Sequence, residues 1–312
     1  MMRILVLGAG GIGGYFGGRL AEAGADVTFL VRPRRAAQIA SDGLVVRSPA
    51  GDISRKARTI GADDLAGDGR HDLVLLTCKA YDLDAAIASV APAVKNGAVI
   101  VPMLNGMRHL DRLDAAFGRA SVLGGLCQIA ATLTPEGEVR HLNTLHLMIV
   151  GPRAPGQEGV STAFADAAAP AKFDFRASDV IAQDMWEKWV LLTTLGGMTC
   201  LMRANVGEIM QADDGEALML DLLAETDRVA GAAGHAARPA FLERARGLLT
   251  ERGSVFAASM LRDVQRGGPT EAAHIVGDML ARARDGGIQA PVLRAAWCHL
   301  QAYEAQRRAG AA

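Results

Sequence analysis

Short apolar runs alternate with helical periodicity through the first half of the chain. Ile4–Leu7, Val27–Val31, Leu73–Thr77 and Ala98–Met103 are rich in Val, Ile and Leu and predict buried strands. Helical stretches are expected at Gly11–Ala23, Leu83–Val94 and Leu110–Phe117. Strand–helix alternation with near-continuous apolar strands predicts a parallel, doubly wound sheet. Gly43 to Ile53 has the pattern of a hairpin insertion turning at Pro49–Asp52. Between Ser121 and Arg176 the runs Thr132–Val139 and His146–Gly151 predict antiparallel strands that finish the sheet. Near Ser178 the pattern changes, and from Val180 onward every segment has a helical period, punctuated by glycine and proline. The expected architecture is α/β: a Rossmann-type doubly wound domain over residues 1–178, then an all-helical domain over 179–312.

The first strand runs straight into Gly8-Ala-Gly10-Gly11-Ile12-Gly13, followed by a helix and a second strand. The glycine pattern alone is weak, but between a strand and a helix it is the fingerprint of a dinucleotide-binding turn. Gly8 permits the tight turn, Gly10 lets the backbone approach a pyrophosphate, and Gly13 lets the helix pack on the sheet. The helix N-terminus, with Gly11 and Ile12 in its first turn, supplies free N–H groups to an anion. An NAD-preferring site carries an acid about twenty residues later. Here the second strand ends Val31-Arg32-Pro-Arg34-Arg35, with no acid from Val27 to Ile39. Arginine suits a 2′-phosphate, because its planar fork pairs with phosphate oxygens, so NADP(H) is the expected cofactor.

Composition narrows the function classes. At 312 residues and 50% hydrophobic content the chain has room for two domains with cores. A net charge of −1 gives no electrostatic reason for nucleic acid or an anionic membrane. The four cysteines form no C-x-x-C pair, and neither a metal site nor a disulfide framework is expected. The apolar run at the N-terminus is too short for a signal peptide. The uncharged helical stretch Trp189–Met202 is fourteen residues and too short to span a bilayer. A cytoplasmic enzyme is the expectation.

Lysine is scarce, five against twenty-eight arginines, so a lysine in an apolar setting is a candidate for proton chemistry. Lys79 directly follows the third strand, at the carboxyl edge where such sheets bind ligands. Lys188 begins the uncharged helix in Trp186-Glu-Lys188-Trp. Taken by itself, either lysine also fits a snorkelling side chain with an exposed tip. Asn105 ends the fourth strand ahead of Gly106, which also fits an ordinary turn, and Pro269-Thr270-Glu271 also fits an ordinary helix start. His141, His146, His235 and His274 lack ligand spacing and are expected to be structural or on the surface.

In this order the segments resemble the ketopantoate reductase (2-dehydropantoate 2-reductase) family over nearly the whole chain. The markers are the glycine turn, Thr77-Cys-Lys79-Ala, Leu104-Asn105-Gly106, Trp186-Glu-Lys188, Ser259-Met-Leu-Arg-Asp263 and Pro269-Thr270-Glu271. The resemblance implies reduction of ketopantoate to pantoate with NADPH, for pantothenate and coenzyme A. It implies Lys188 as the catalytic lysine, with Asn105 and Lys79 lining the nicotinamide and substrate cleft. It also implies Ser259 and Glu271 as substrate and cofactor contacts, Arg32 at the 2′-phosphate, and a homodimer through the helical domain. Glu271 is expected to hold the substrate or keep Lys188 charged by pairing with it. The chain departs from the family where asparagines commonly bind substrate: it has Leu192, Gly196 and Phe256 there. A pocket that loses hydrogen-bonding groups rejects a polar substrate or binds it differently. The alternatives are therefore a reductase of another 2-oxo acid or less polar ketone, and a dinucleotide sensor without turnover. Thr193, Thr194 and Thr199 are candidates to replace the missing polar groups from neighbouring turns.

Overall fold

The computed structural model describes residues 1–310. The described residues fold into two compact units, residues 1–104 with 109–181, and residues 105–108 with 182–310. The short segment Asn105–Arg108 belongs with the second unit although the chain on either side of it belongs with the first.

The first unit opens with β1 (Arg3–Leu7), α1 (Gly11–Glu22), β2 (Asp26–Leu30), α2 (Pro33–Asp42), β3 (Leu44–Arg47), β4 (Ile53–Arg55) and β5 (Arg58–Ile60). It continues with β6 (Leu73–Leu76), α3 (Leu83–Lys95), β7 (Val99–Pro102), α4 (Arg108–Phe117), β8 (Gly124–Leu133), β9 (Val139–Gly151), α5 (Glu158–Ala168) and β10 (Asp174–Ala177). One sheet has the order β5-β2-β1-β6-β7, parallel throughout. Ile4, Leu5 and Val6 at its centre are fully buried, which is why these strands lack polar alternation. Strand order reverses between β1 and β6, so the crevice for a ligand lies at the carboxyl ends of those two strands.

The antiparallel strands do not finish that sheet. β8 and β9 pair with each other, and β9 joins β3 and β10 in parallel to build a second five-stranded sheet that includes β4. The expected hairpin at 43–53 is real, with β3 antiparallel to β4, but it too belongs to this second sheet. Alternating strands were legible in the sequence; which sheet they join depends on long-range pairing, which period alone does not specify.

α1 lies between the sheets, and this accounts for its other glycines. A Cβ at Gly17 would sit 2.7 Å from Phe29 of the first sheet, and one at Gly14 would sit 2.6 Å from Val139 of the second. Close approach on both sides outweighs the cost of glycine in a helix, about 1 kcal/mol each.

The second unit is helical: α6 (Ile181–Met202), α7 (Val206–Ile209), α8 (Gly215–Ala232), α9 (Pro239–Leu249), α10 (Ser259–Gln265), a π-helical turn at Ala273–Gly277, α11 (Asp278–Asp285) and α12 (Pro291–Gly310). α6 is the axis of the unit, with Trp189, Val190, Met198 and Cys200 fully buried. Buried Glu225 of α8 accepts the N–H groups of Val292 and Leu293 at 3.0 and 2.8 Å, placing a carboxylate on the N-terminus of α12. Among the described residues no helix is long and apolar enough to cross a membrane, and no cluster of His, Cys, Asp or Glu could hold a metal ion. None of the four cysteines is in a disulfide.

Candidate functional site

The glycine turn leaves β1 at the strand-order reversal. Gly8 adopts φ +92°, in the left-handed region that glycine enters without strain. A Cβ at Gly13 would lie 2.1 Å from Gly8 O and 2.4 Å from Thr77 Oγ1, so only glycine lets α1 start this close to the strands. Thr77 closes the turn from the β6 side by donating its hydroxyl to Leu7 O at 2.7 Å. At Gly10 a Cβ would meet nothing within 4 Å, which leaves open space over the helix N-terminus. No side chain caps α1, and the first turn of a helix has no intrahelical acceptors for its N–H groups. The turn therefore fits the pyrophosphate of a dinucleotide: open backbone, uncapped donors around Gly11 and Ile12, and the positive end of a helix dipole.

Around this turn the charged residues are arranged differently from their order in the sequence. Arg32 is the N-cap residue of α2, and its exposed guanidinium donates to Asp82 Oδ1 at 2.9 Å. Asp82 precedes α3 on the other side of β1, so the acid missing between Val27 and Ile39 arrives from fifty residues further on. Arg35, not Arg32, touches the glycine turn: it donates to Ala9 O at 3.1 Å and to Gly137 O at 2.9 Å. Arg34 is exposed. Lys79 is the exposed N-cap of a short 3-10 turn directly after β6, at the carboxyl edge of the sheet.

In the second unit, the half-buried Lys188 on α6 donates from Nζ to Asn105 Oδ1 at 3.0 Å. Two residues 83 positions apart are thereby joined at hydrogen-bond distance. Asn105 is followed by Gly106 at φ +79°, where a Cβ would stand 2.9 Å from His274 O and 3.1 Å from His274 Cδ2. His274 lies in the π-helical turn, buried, and its ring hydrogen-bonds the Asn105 backbone. Burial pushes its imidazole below the ordinary value; Glu271, Asp278 and the Asn105 bond oppose the shift, and Arg108 adds to it. Glu271 is buried just ahead of this turn, and its carbonyl accepts the N–H groups of His274 and Ile275, both at 3.0 Å. The helix start expected at Thr270–Glu271 is therefore present, but it opens into a π turn. Ser259 is the exposed first residue of α10.

Leu192 and Gly196 follow Lys188 by one and two turns on the same face of α6. Leu192 is half-buried, and the room beside Gly196 is filled by Met260, whose Cε lies 2.9 Å from where a Cβ would be. The three threonines do not replace the missing polar groups. Thr194 and Thr199 donate to Val190 O and Leu195 O at 2.9 and 2.7 Å, Thr193 is 3.5 Å from Ile275 O, and all three are fully buried.

Glu187, beside Lys188, was not singled out in the sequence. It is buried and, with buried Asp184, receives the guanidinium of Arg238: 2.7 and 2.6 Å to the two oxygens of Glu187, and 2.6 Å to Asp184. Burial alone would raise the Glu187 carboxyl, but bonds from the Arg238 side chain and backbone and from Gln183 hold it below its ordinary value. This clamp ties the start of α9 to the first turns of α6.

The model of the family described as Ketopantoate reductase PanE/ApbA matches residues 4–155, and that of its C-terminal domain matches residues 180–304. The chain is 37% identical over 306 residues to an uncharacterized oxidoreductase, YkpB, of Bacillus subtilis, covering 98% of this chain and all of that one. The crystal structure of a 2-dehydropantoate 2-reductase from Geobacter metallireducens superposes with a TM-score of 0.86 at 28% identity, covering 96% and 99% of the two chains. A D-mandelate dehydrogenase, solved with NADH and anilino(oxo)acetate, shares the fold with a TM-score of 0.88 at 20% identity, covering 98% and 99%.

Proposed function

The chain belongs to the ketopantoate reductase family, and from that premise we propose that it reduces the ketone of a 2-oxo acid with NADPH, ketopantoate being the substrate the family points to. The observation that carries the reading is the Lys188–Asn105 contact at 3.0 Å. Reduction of a ketone builds negative charge on its oxygen. An ammonium held in a half-buried place stabilises that charge and supplies the proton. Asn105 Oδ1 fixes where the ammonium points. Glu271 is buried beside the π turn and holds substrate or cofactor; Ser259, exposed at the N-terminus of α10, meets the substrate.

A bound dinucleotide supplies the hydride. The chain's own part is to hold it: Gly8, Gly10, Gly11, Ile12 and Gly13 at the pyrophosphate, Lys79 at the carboxyl edge of β6, and Arg32 at the 2′-phosphate. Binding NADPH in this way requires Arg32 to exchange Asp82 for the phosphate. The ion pair is exposed, so the exchange costs about 1 kcal/mol or less. The reading includes a cytoplasmic homodimer, which light scattering on the purified protein tests.

A second reading, a reductase of a less polar 2-oxo acid, is favoured by one specific observation. The face of α6 beyond Lys188 presents Leu192 and the Met260 side chain, and the neighbouring threonine hydroxyls are already bonded within the unit. A substrate hydroxyl left unpaired against that face loses about 1–3 kcal/mol. The same fold carries a D-mandelate dehydrogenase, so architecture does not choose between the substrates.

One experiment tests both: kcat/KM with NADPH and with NADH on ketopantoate and on 2-oxo acids with apolar tails, for the parent and Lys188→Ala. Turnover that falls about a hundredfold in the variant supports the role of Lys188. A variant within threefold of the parent refutes it. NADPH binding without turnover of any 2-oxo acid refutes the reductase reading. Ketopantoate turned over best, with a submillimolar KM, refutes the apolar alternative.

A further inference from the structure

Lys188 is held in a closed circuit of contacts that returns to its own helix. Its Nζ donates to Asn105 Oδ1, and the Asn105 backbone bonds the ring of His274. His274 belongs to the π turn, whose Ile275 carbonyl accepts Trp189 Nε1 at 3.0 Å, with Thr193 Oγ1 at 3.5 Å. Trp189 follows Lys188 directly on α6. A π turn shifts the register of a helix by one residue and leaves carbonyls to be satisfied from outside, a feature frequent at functional sites. Here the satisfying groups come from the helix that carries the lysine. The loop side of the circuit is equally specific. Gly106 approaches the π-turn backbone more closely than any side chain would allow, and the Cδ2–Nε2 edge of His274 is the edge that faces it.

We propose that His274 is a positioning residue for the reaction: by bonding the Asn105 backbone it fixes the Asn105 side chain, and through it the direction of the Lys188 ammonium. This rests on Lys188 as the proton donor. The charged groups around the ring are Glu271, Asp278 and Arg108, and the role assigned to the imidazole is its hydrogen bond to the Asn105 backbone. His274 itself touches neither substrate nor cofactor in this role.

The test compares His274→Gln, whose amide nitrogen reaches the depth of Nε2, with His274→Leu, which fills similar space without a donor. With NADPH and the best 2-oxo acid, the leucine variant should lose at least tenfold in kcat with KM for NADPH unchanged. The glutamine variant should stay within threefold of the parent. A leucine variant within twofold of the parent overturns the proposal, as does a glutamine variant as impaired as the leucine one. If the leucine variant does not fold, His274→Asn, polar but one methylene short, replaces it under the same criteria. A second readout needs no turnover. In 15N-lysine-labelled protein, where Lys188→Ala assigns one of five ammonium signals, the Lys188 signal should match the parent in His274→Gln and shift or vanish in His274→Leu. An unchanged Lys188 signal in the leucine variant overturns the positioning role even if no substrate is turned over. Absence of turnover in the parent with the signal behaving as expected overturns only the reductase reading.

Discussion

Replacing Arg238 with alanine should destabilise the helical unit by a predictable amount and in a pH-dependent way. The guanidinium makes three side-chain bonds, to Glu187 and Asp184, and its backbone N–H gives Glu187 a fourth that survives the substitution. Asp184 and Glu187 are 5% and 3% exposed, so the variant strands two carboxylates in the interior. Removing one partner of a buried ion pair costs about 3–5 kcal/mol. Arg238 is itself 49% exposed, and water entering its place recovers part of that. The expected loss is about 2–3 kcal/mol, which for a unit of this size corresponds to roughly 5–12 °C in Tm. The sign of the pH dependence follows from Glu187. Its folded carboxyl is held below the ordinary value of 4.5, so the stability it contributes is fully present above that value and is lost as pH falls through the lowered folded value. Without Arg238, burial drives the same carboxyl upward and it takes up a proton earlier. The gap between parent and variant should therefore be widest near pH 7.5 and close as pH falls below 4.5. Calorimetric or circular-dichroism melts at both pH values measure it. A Tm within 1 °C of the parent at pH 7.5, or a gap of the same size at pH 4, would refute the reasoning.

Gly13→Ala should weaken NADPH binding at least tenfold in a fluorescence titration, because the new methyl would lie 2.1 Å from Gly8 O; unchanged affinity would show that the turn does not bind the cofactor. Asp82→Ala releases Arg32 and should tighten NADPH up to about fivefold, the scale of an exposed ion pair, while leaving NADH unaffected; an equal effect on both cofactors would remove Arg32 from the 2′-phosphate site. A thiol reagent at pH 8 should modify exposed Cys298 in the native protein and leave Cys200 untouched until unfolding, since burial pushes the Cys200 thiol up to about 12. Labelling of Cys200 at the rate of Cys298 would contradict the buried, inert state.

What could be foreseen in the sequence follows from what each kind of signal encodes. The strands β1, β2, β6 and β7 were legible because burial on both faces writes continuous apolar runs, and the glycine turn because its demands are on the backbone. The extra glycines of α1 were visible but had no reason until two sheets were found against the same helix. The second sheet was misassigned because pairing partners such as β3 and β9 lie about ninety residues apart and leave no local mark. Arg32 stands out in the sequence but its partner Asp82 does not, since the two meet only because β2 ends and α3 begins on either side of β1. Glu187 had the least chance of recognition: one position before the lysine that drew attention, it serves a structural clamp.

Threonine illustrates the limit most clearly. Three hydroxyls near Lys188 counted, in the sequence, as polar groups able to replace the absent asparagines. Whether a hydroxyl serves a ligand depends on which carbonyl is nearer, and in a helix the carbonyl four residues back is always within reach. Thr194 and Thr199 take that bond, and Thr193 turns to the Ile275 carbonyl of the π turn. The polar atoms are thus spent inside the unit, and the face beyond Lys188 is left to Leu192 and Met260. The same accounting explains why His274, set aside for lack of ligand spacing, gains significance: the π turn frees a carbonyl for α6 and turns an imidazole toward Asn105. Around this lysine, chemistry is decided by which backbone groups the side chains satisfy, and that information appears only when the helices are packed.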